Sequence, residues 1–170
     1  MQVRAEREGD AAAIRAVNDA AFGGPKEGGI VDAIRATDRG IDGGSMVAVD
    51  GDTIVGHVLL SEGDLVGADG ETRRIWMLGP IAVVPARQRQ GIGAALMQAA
   101  IDLATDRRQP VICLLGHATY YPRFGFEPGR AIGIEPPRPW RDENWMALRL
   151  RDWAPGWQGT AHFAPAFPDD

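Results

Sequence analysis

The chain has 170 residues, 45% hydrophobic and 24% charged, with a formal net charge of −5 and a single cysteine. That length suits one domain with a sizeable core that needs neither disulfides nor metals. With no basic run, an acidic balance and a lone Cys113, the sequence excludes an extended nucleic-acid surface and an internal disulfide.

Val3 opens a short strand, and Gly9-Asp10 starts a helix with Asp10 as the expected N-cap. Ile14, Val17 and Ala21 mark its buried face, and Gly23-Gly24-Pro25 stops it. A shorter helix is expected around Ile30, Val31 and Ile34, ending near Gly40. From Met46 the period changes: residues 46–49 and 53–60 flank Asp50-Gly51, a strong hairpin signal. A second hairpin turn is expected at Asp69-Gly70.

Residues 75–84 are apolar and β-branched enough for a buried strand, interrupted by Gly79-Pro80. Pro has no N–H to give a ladder, so that pair predicts a bulge or a splay between neighbouring strands. Beyond the turn, Ile92, Ala95, Leu96, Ala99, Ala100 and Leu103 recur on one helical face. The wholly apolar 110–115 reads as a strand, parallel to its neighbour because a helical crossover precedes it. A helical turn near Thr119–Tyr121 leads to Phe124-Gly125-Phe126, and 145–150 and 161–163 read as the last strands. Trp153, Trp157, Phe163 and Phe167 predict that residues 151–170 pack down as an extension of the domain. The fold class is α+β, around one mixed, mostly antiparallel sheet.

The junction at 81–94 carries the chemistry. A strand passes through a loop rich in Arg, Gln and Gly into the N-terminus of a helix, where free N–H groups and the positive dipole end make a ready anion site. Gly91 and Gly93 let the backbone approach a phosphate, and Arg87 and Arg89 add charge. A small polyanionic ligand fits this better than a polymer. A Rossmann dinucleotide loop fails because Leu96 stands where the third glycine belongs, and a Walker-type loop fails for want of Gly-Lys-Ser/Thr. His57, His117 and His162 are dispersed with no Cys partners, so no metal is expected. Cys113, in an apolar strand, reads as an inert core residue.

Gln88-x-x-Gly91-x-Gly93, set between Ile81-Ala82-Val83 and an amphipathic helix, resembles the acyl-CoA loop of the GNAT superfamily of N-acyltransferases. Tyr120-Tyr121-Pro122-Arg123-Phe124-Gly125-Phe126 resembles that family's tyrosine and Gly-Phe segment after the fifth strand. The resemblance covers most of the chain. It implies a GNAT-like fold over 1–150, a mixed sheet splayed between strands 4 and 5 with helices on both faces, and 151–170 packed on the same domain.

It also implies site roles. Backbone groups of Ile81, Ala82 and Val83 would pair with the pantetheine arm like an added strand. The N–H groups of Arg89, Gln90, Gly91, Ile92, Gly93 and Ala94 would hold the pyrophosphate, with the Gln88 and Arg89 side chains flanking it. Tyr121 would protonate the departing CoA thiolate, and Phe124 would border the cofactor. Many members carry an Asn on or after the fifth strand; His117 stands in that region here.

The implied activity is transfer of an acetyl group from acetyl-CoA, as cosubstrate, to a primary amine of a small molecule or peptide by direct attack. An N–H near Val83 would face the oxyanion. Glu62, His57, Glu27, Asp32 and a water chain are all open as general base. A non-catalytic acyl-CoA-binding or sensing module of the same fold is the alternative; an acylating toxin of charged tRNA is disfavoured by the net charge. The first eight residues lack the apolar region of a secretion signal and no run approaches transmembrane length. The expected setting is therefore cytoplasmic, without nucleic-acid or membrane partners. A homodimer is the default assembly.

Overall fold

The structure, a computed structural model, describes residues 1–167; the end of the expected extension, 168–170, lies outside the described residues. The chain divides into two compact units. The first holds Met1–Ser61, Gly79–Leu103 and 165–167; the second holds Glu62–Leu78 and Ala104–Ala164.

In the first unit, strand β1 (Gln2–Ala5) pairs antiparallel with β2 (Gly40–Asp50), placing Val3 opposite Ala48. β2 pairs antiparallel with β3, which spans Thr53–Val66, and Val47 faces His57. The hairpin closes at Gly51-Asp52 with Gly51 at φ +59°; a glycine with positive φ in the first loop position is what a type II′ turn requires. β2 begins at Gly40 rather than Met46, and β3 continues to Val66 rather than stopping at Leu60. Polar and glycine residues join the early part of β2, where a register shift separates Gly40 from Ser45 and blurs the alternation.

Helices α1 (Ala11–Phe22) and α2 (Lys26–Arg35) follow β1, and α3 (Ile92–Asp106) follows β4 (Thr72–Val83). Asp10 stands at the N-cap of α1, but its carboxylate does not cap the helix. It accepts instead from the Arg4 guanidinium at 2.6 Å and the Arg7 N–H at 2.8 Å, tying the end of β1 to the helix start. α2 ends at Arg35, five residues before Gly40. Successive residues of β3 face opposite sides of the sheet. Asn18 of α1 therefore reaches His57, while Ile92 and Leu96 of α3 crowd Gly56 so closely that a Cβ there would lie 2.9 Å from Leu96. Helices thus cover both faces of β3 in this unit.

In the second unit, β4 runs parallel to β5 (Val111–Leu115), with Trp76 opposite Ile112 and Met77 opposite Cys113. The register ends there, two residues before the cis Gly79-Pro80 bond, in keeping with a proline that has no N–H to contribute. β5 pairs antiparallel with β8 (Trp145–Arg149), and β8 with the two-residue β6 (Glu127–Pro128). β9 (Gly159–His162) pairs antiparallel with the end of β3 and parallel with β7 (Ile134–Glu135). The pairing is thus mixed and mostly antiparallel, as an α+β fold requires. β6 and β7 have no counterpart in the sequence reading, because two residues carry no periodicity.

Leu65, Ile75, Met77, Val111, Cys113, Trp145, Ala147 and Ala161 share one core cluster, alternate residues along five strands. Trp140, Trp153, Trp157 and Phe163 pack partly buried against it. The aromatic residues after Arg151 thereby cover a sheet face that would otherwise be wet. Among the described residues, no helix is long and apolar enough to cross a membrane.

Candidate active site

All of Ile81–Ala94 lies in the first unit. The Val84 N–H donates to the Val55 carbonyl at 3.0 Å. Backbone groups alternate in direction along a strand, so Ala82 also turns its amide and carbonyl toward β3, while Ile81 and Val83 turn theirs away. The Val83 carbonyl is occupied by the Gln88 side-chain amide at 3.1 Å. The N–H and C=O of Ile81 and the N–H of Val83 thus face away from β3, while the Val83 carbonyl is already engaged by Gln88.

The loop that follows is a 3₁₀ turn at Pro85–Arg87 and then two residues with positive φ, Arg89 at +60° and Gly91 at +83°. Positive φ at a non-glycine residue costs on the order of 1 kcal/mol and persists only where surroundings impose it. Alternating backbone handedness of this kind turns successive N–H groups to one side as an anion-binding nest. α3 then starts: Ala95 N–H is bonded to the Gly91 carbonyl at 3.0 Å, so the N–H groups of Ile92, Gly93 and Ala94 have no partner within the helix. A Cβ added at Gly91 would meet nothing within 4 Å, so the space over the nest is open.

The side chains of the loop divide by task. Arg87 is committed to Asp50 at 2.7 Å and to Gln90 at 3.0 Å, bracing the loop against the β2–β3 hairpin. That contact also holds the Asp50 carboxyl below its ordinary range. Arg89 is exposed and makes no ion pair or hydrogen bond among the described residues. It is the free cation of the loop.

Tyr121 and Phe124 lie in the second unit, on the 3₁₀ turn Tyr121–Phe124, slightly later than the expected Thr119–Tyr121. The Tyr121 ring is 8% exposed and is held edge-on by Tyr120 at 5.1 Å and by Phe126 at 5.9 Å. Gly116 lies flat against it: a Cβ there would fall 2.1 Å from Cε2. The Tyr121 hydroxyl has no hydrogen-bond partner among the described residues, yet it is not among the buried unpaired atoms, so solvent reaches it. Burial, and then the neighbouring Tyr120, push its pKa up to about 12. Phe124 packs on Tyr120 at 5.4 Å, and Arg123 sits 4.7 Å over the Tyr120 ring. His117 is exposed just after β5, and its carbonyl accepts from the Tyr120 N–H.

Two of the residues open as general base are committed elsewhere. His57 is fully buried, with Asn18 Nδ2 at 3.0 Å from Nδ1 and Ser45 Oγ at 3.0 Å from Nε2. Asn18 Nδ2 also donates to the Ile14 carbonyl, which fixes it as a donor; Nδ1 must accept and Nε2 must carry the proton. Burial, with the Arg35 charge adding, holds its pKa down at about 3, so the ring stays neutral with no free lone pair. Asp32 is gripped by Arg15 at 2.6 Å and Arg35 at 2.7 Å. Glu62, 3.7 Å from Arg74, and Glu27 are less constrained. Sequence reasoning missed the Asn18–His57–Ser45 chain, since its members are far apart along the chain and none belongs to a motif.

Residues 42–128 match the family model described as an acetyltransferase (GNAT) domain. The chain is 33% identical over 165 residues to the uncharacterized N-acetyltransferase YjhQ of Escherichia coli K12, covering 95% of this chain and 90% of that protein. A GNAT family acetyltransferase from Brucella melitensis, solved in complex with acetyl-CoA, is 32% identical with a TM-score of 0.79 over 98% of this chain and 97% of its own. The GNAT family N-acetyltransferase YhbS from Escherichia coli, solved in complex with CoA, is 26% identical with a TM-score of 0.85 over 98% and 91%. With strand, glycine loop, helix and tyrosine in that order, and these likenesses along nearly its whole length, the chain belongs to the GNAT family of acetyltransferases.

Proposed function

We propose that the protein transfers the acetyl group of acetyl-CoA to a primary amine of a small molecule or peptide, with 1–150 as the acetyltransferase domain and 151–170 as its extension. The loop is the observation that carries the reading. A nest at Arg89–Gly91, N–H groups at Ile92–Ala94 with no partner within the helix, and the free guanidinium of Arg89 lie together in one loop with open space at Gly91, a combination that suits a diphosphate. The Gln88 side chain, bonded to Val83, fixes the loop's entry, and Ile81 and Val83 offer strand-like partners to the amide groups of a pantetheine arm.

In the reaction the amine nitrogen attacks the thioester carbonyl; the C–N bond forms, the C–S bond breaks, and the amine proton leaves to water or a carboxylate. The N–H of Val83 is the proposed oxyanion donor, and Phe124 the proposed border of the cofactor. Tyr121 donates to the departing sulfur. A phenol at about 12 is a weaker acid than a thiol near 8.5, so full transfer to a thiolate is uphill by roughly three to four units. Tyr121 therefore acts as a hydrogen-bond donor that steadies the leaving thiolate, with solvent completing its protonation. Where the family carries an Asn, either His117 makes the contact or the contact is absent.

Incubation with acetyl-CoA and a broad amine panel, with thiol release followed by a chromogenic reagent, tests this reading. Calorimetry should show CoA binding that weakens with salt. No detectable CoA binding would overturn it. Tight CoA binding without turnover of any amine would favour a sensing module instead.

A further inference from the structure

A cavity of about 480 Å³ opens in the second unit, bounded by Leu115 at the end of β5, by Gly116 and His117 after it, and by Pro139–Arg141 with Asn144. Its wall at Gly116 is the same backbone against which the Tyr121 ring lies. Asn144 clips that wall in place twice: its Nδ2 donates to the Gly116 carbonyl at 2.9 Å, and its carbonyl accepts from the Gly116 N–H at 2.9 Å. The size is that of a small-molecule subsite.

The lining is specific in character. Leu115 is 44% exposed, one of few large apolar side chains left open to water. Trp140 is partly buried, wedged against Trp145 at 6.0 Å and Phe163 at 5.8 Å, so its indole is a fixed wall rather than a loose surface group. Arg130 holds the loop from behind, donating to the Trp140 carbonyl at 3.0 Å and pairing with Asp142 and Glu135. At the rim, Arg141 has a side chain 83% exposed, and its partner Glu143 stands at 3.5 Å and is itself exposed. No carboxylate lines the cavity.

We propose that this cavity is the acceptor subsite and that it takes a primary amine carried on an aromatic body with a neighbouring carboxylate. A free aromatic amino acid has that chemistry. A fixed indole wall and exposed Leu115 favour a flat apolar body, since aromatic pairs contribute beyond the area they bury. Arg141 offers the carboxylate a charge-assisted hydrogen bond. Asn144 Oδ1 is an acceptor for the amine N–H. Polyamines and other polycations find no carboxylate here and meet a guanidinium. The inference rests on the acetyl-transfer reading for its chemistry, though the binding it asserts is independent of turnover.

The test measures binding of tryptophan, tryptamine and spermidine by calorimetry, with and without CoA, alongside thiol release from acetyl-CoA. Tryptophan should bind more tightly than tryptamine, and spermidine should bind least. Trp140→Ala should weaken both aromatic ligands by about tenfold. Arg141→Ala, at an exposed position where folding is not at stake, should weaken tryptophan several-fold and leave tryptamine unchanged. Failure of the aromatic amines to bind, or binding indifferent to Arg141→Ala, would overturn the proposal even if other amines are acetylated. Binding with the expected Arg141 dependence but no thiol release from these ligands would overturn the acceptor role of the cavity, and would count against acetyl transfer only if the broad amine panel is also left unacetylated.

Discussion

Replacing Tyr121 by Phe removes one oxygen and leaves the ring, which makes the consequence calculable. The ring keeps its contacts with Tyr120, Phe126 and the Gly116 backbone. The lost hydroxyl had no hydrogen bond among the described residues, so stability near neutral pH should change by less than about 0.5 kcal/mol. General acid groups contribute roughly 10²–10⁴-fold. A phenol held at about 12 is poorly matched to a thiolate, so the low end applies: kcat should fall about 10²-fold, equivalent to about 2.7 kcal/mol of transition-state stabilisation. CoA affinity should hold within about twofold, because a leaving-group contact matures only as the C–S bond breaks.

The same pKa sets a stability signature. The folded state keeps the Tyr121 proton up to about 12, whereas the unfolded chain releases it near 10. Between those values the unfolded state binds fewer protons, so stability falls as pH rises through 10 to 12, by on the order of 2–3 kcal/mol. Tyr121→Phe should flatten that limb. Steady-state kinetics, CoA calorimetry and urea titrations at pH 8 and 10.5 check all of this on one variant. Equal losses in kcat and CoA affinity, or a large loss of stability at pH 8, would refute the donor role and leave Tyr121 as packing.

His57 gives the opposite slope: held at about 3 when folded and near 6.5 when unfolded, it makes stability fall as pH drops through 6.5 toward 3. About 2 kcal/mol should be lost between pH 7 and 5, and His57→Gln should lose less over that interval in urea titrations. Arg89→Ala should weaken CoA binding several-fold, lower its salt dependence and leave the melting temperature unchanged; Arg87→Ala, which breaks the bond to Asp50, should cost both affinity and stability. At Gly159, with φ +149°, a Cβ would lie 2.2 Å from the Val66 carbonyl oxygen. Gly159→Ala should therefore destabilise by about 2–3 kcal/mol, read as a drop in urea midpoint with unchanged slope.

Order and type of element were written in local residues. Asp50-Gly51 announced its hairpin, and the apolar period of Ile92 to Leu103 announced α3, because turn geometry and helical faces need only neighbours in sequence. The glycine loop was equally legible, since handedness at Gly91 is a property of that residue. Elsewhere long-range partners decided the outcome. Asp10 has the right residue type for a cap, but Arg4 and the Arg7 N–H compete for its carboxylate and win. His57 looked like a base on chemistry alone. Only the fold brings Asn18 and Ser45 to its two nitrogens and removes it from proton transfer.

Along the strand before the loop, the motif names the residues but only the fold sets which way their backbone groups face. Ile81, Ala82 and Val83 are equivalent in sequence, each with one N–H and one C=O. One hydrogen bond, Val84 to Val55, fixes which side each faces, and by alternation turns Ala82 inward to β3. Gln88 then takes the Val83 carbonyl from outside. Under the proposed cofactor binding, an arm laid along this strand would meet a donor and an acceptor at Ile81 and a donor at Val83, two residues apart and on the same side. That spacing is the repeat of a strand edge, so a ligand with alternating amide groups meets it in one register only. A shift by one residue would set its amides against Ala82, whose groups already face β3, and would leave the ligand's polar groups unpaired at a cost of roughly 1–3 kcal/mol each.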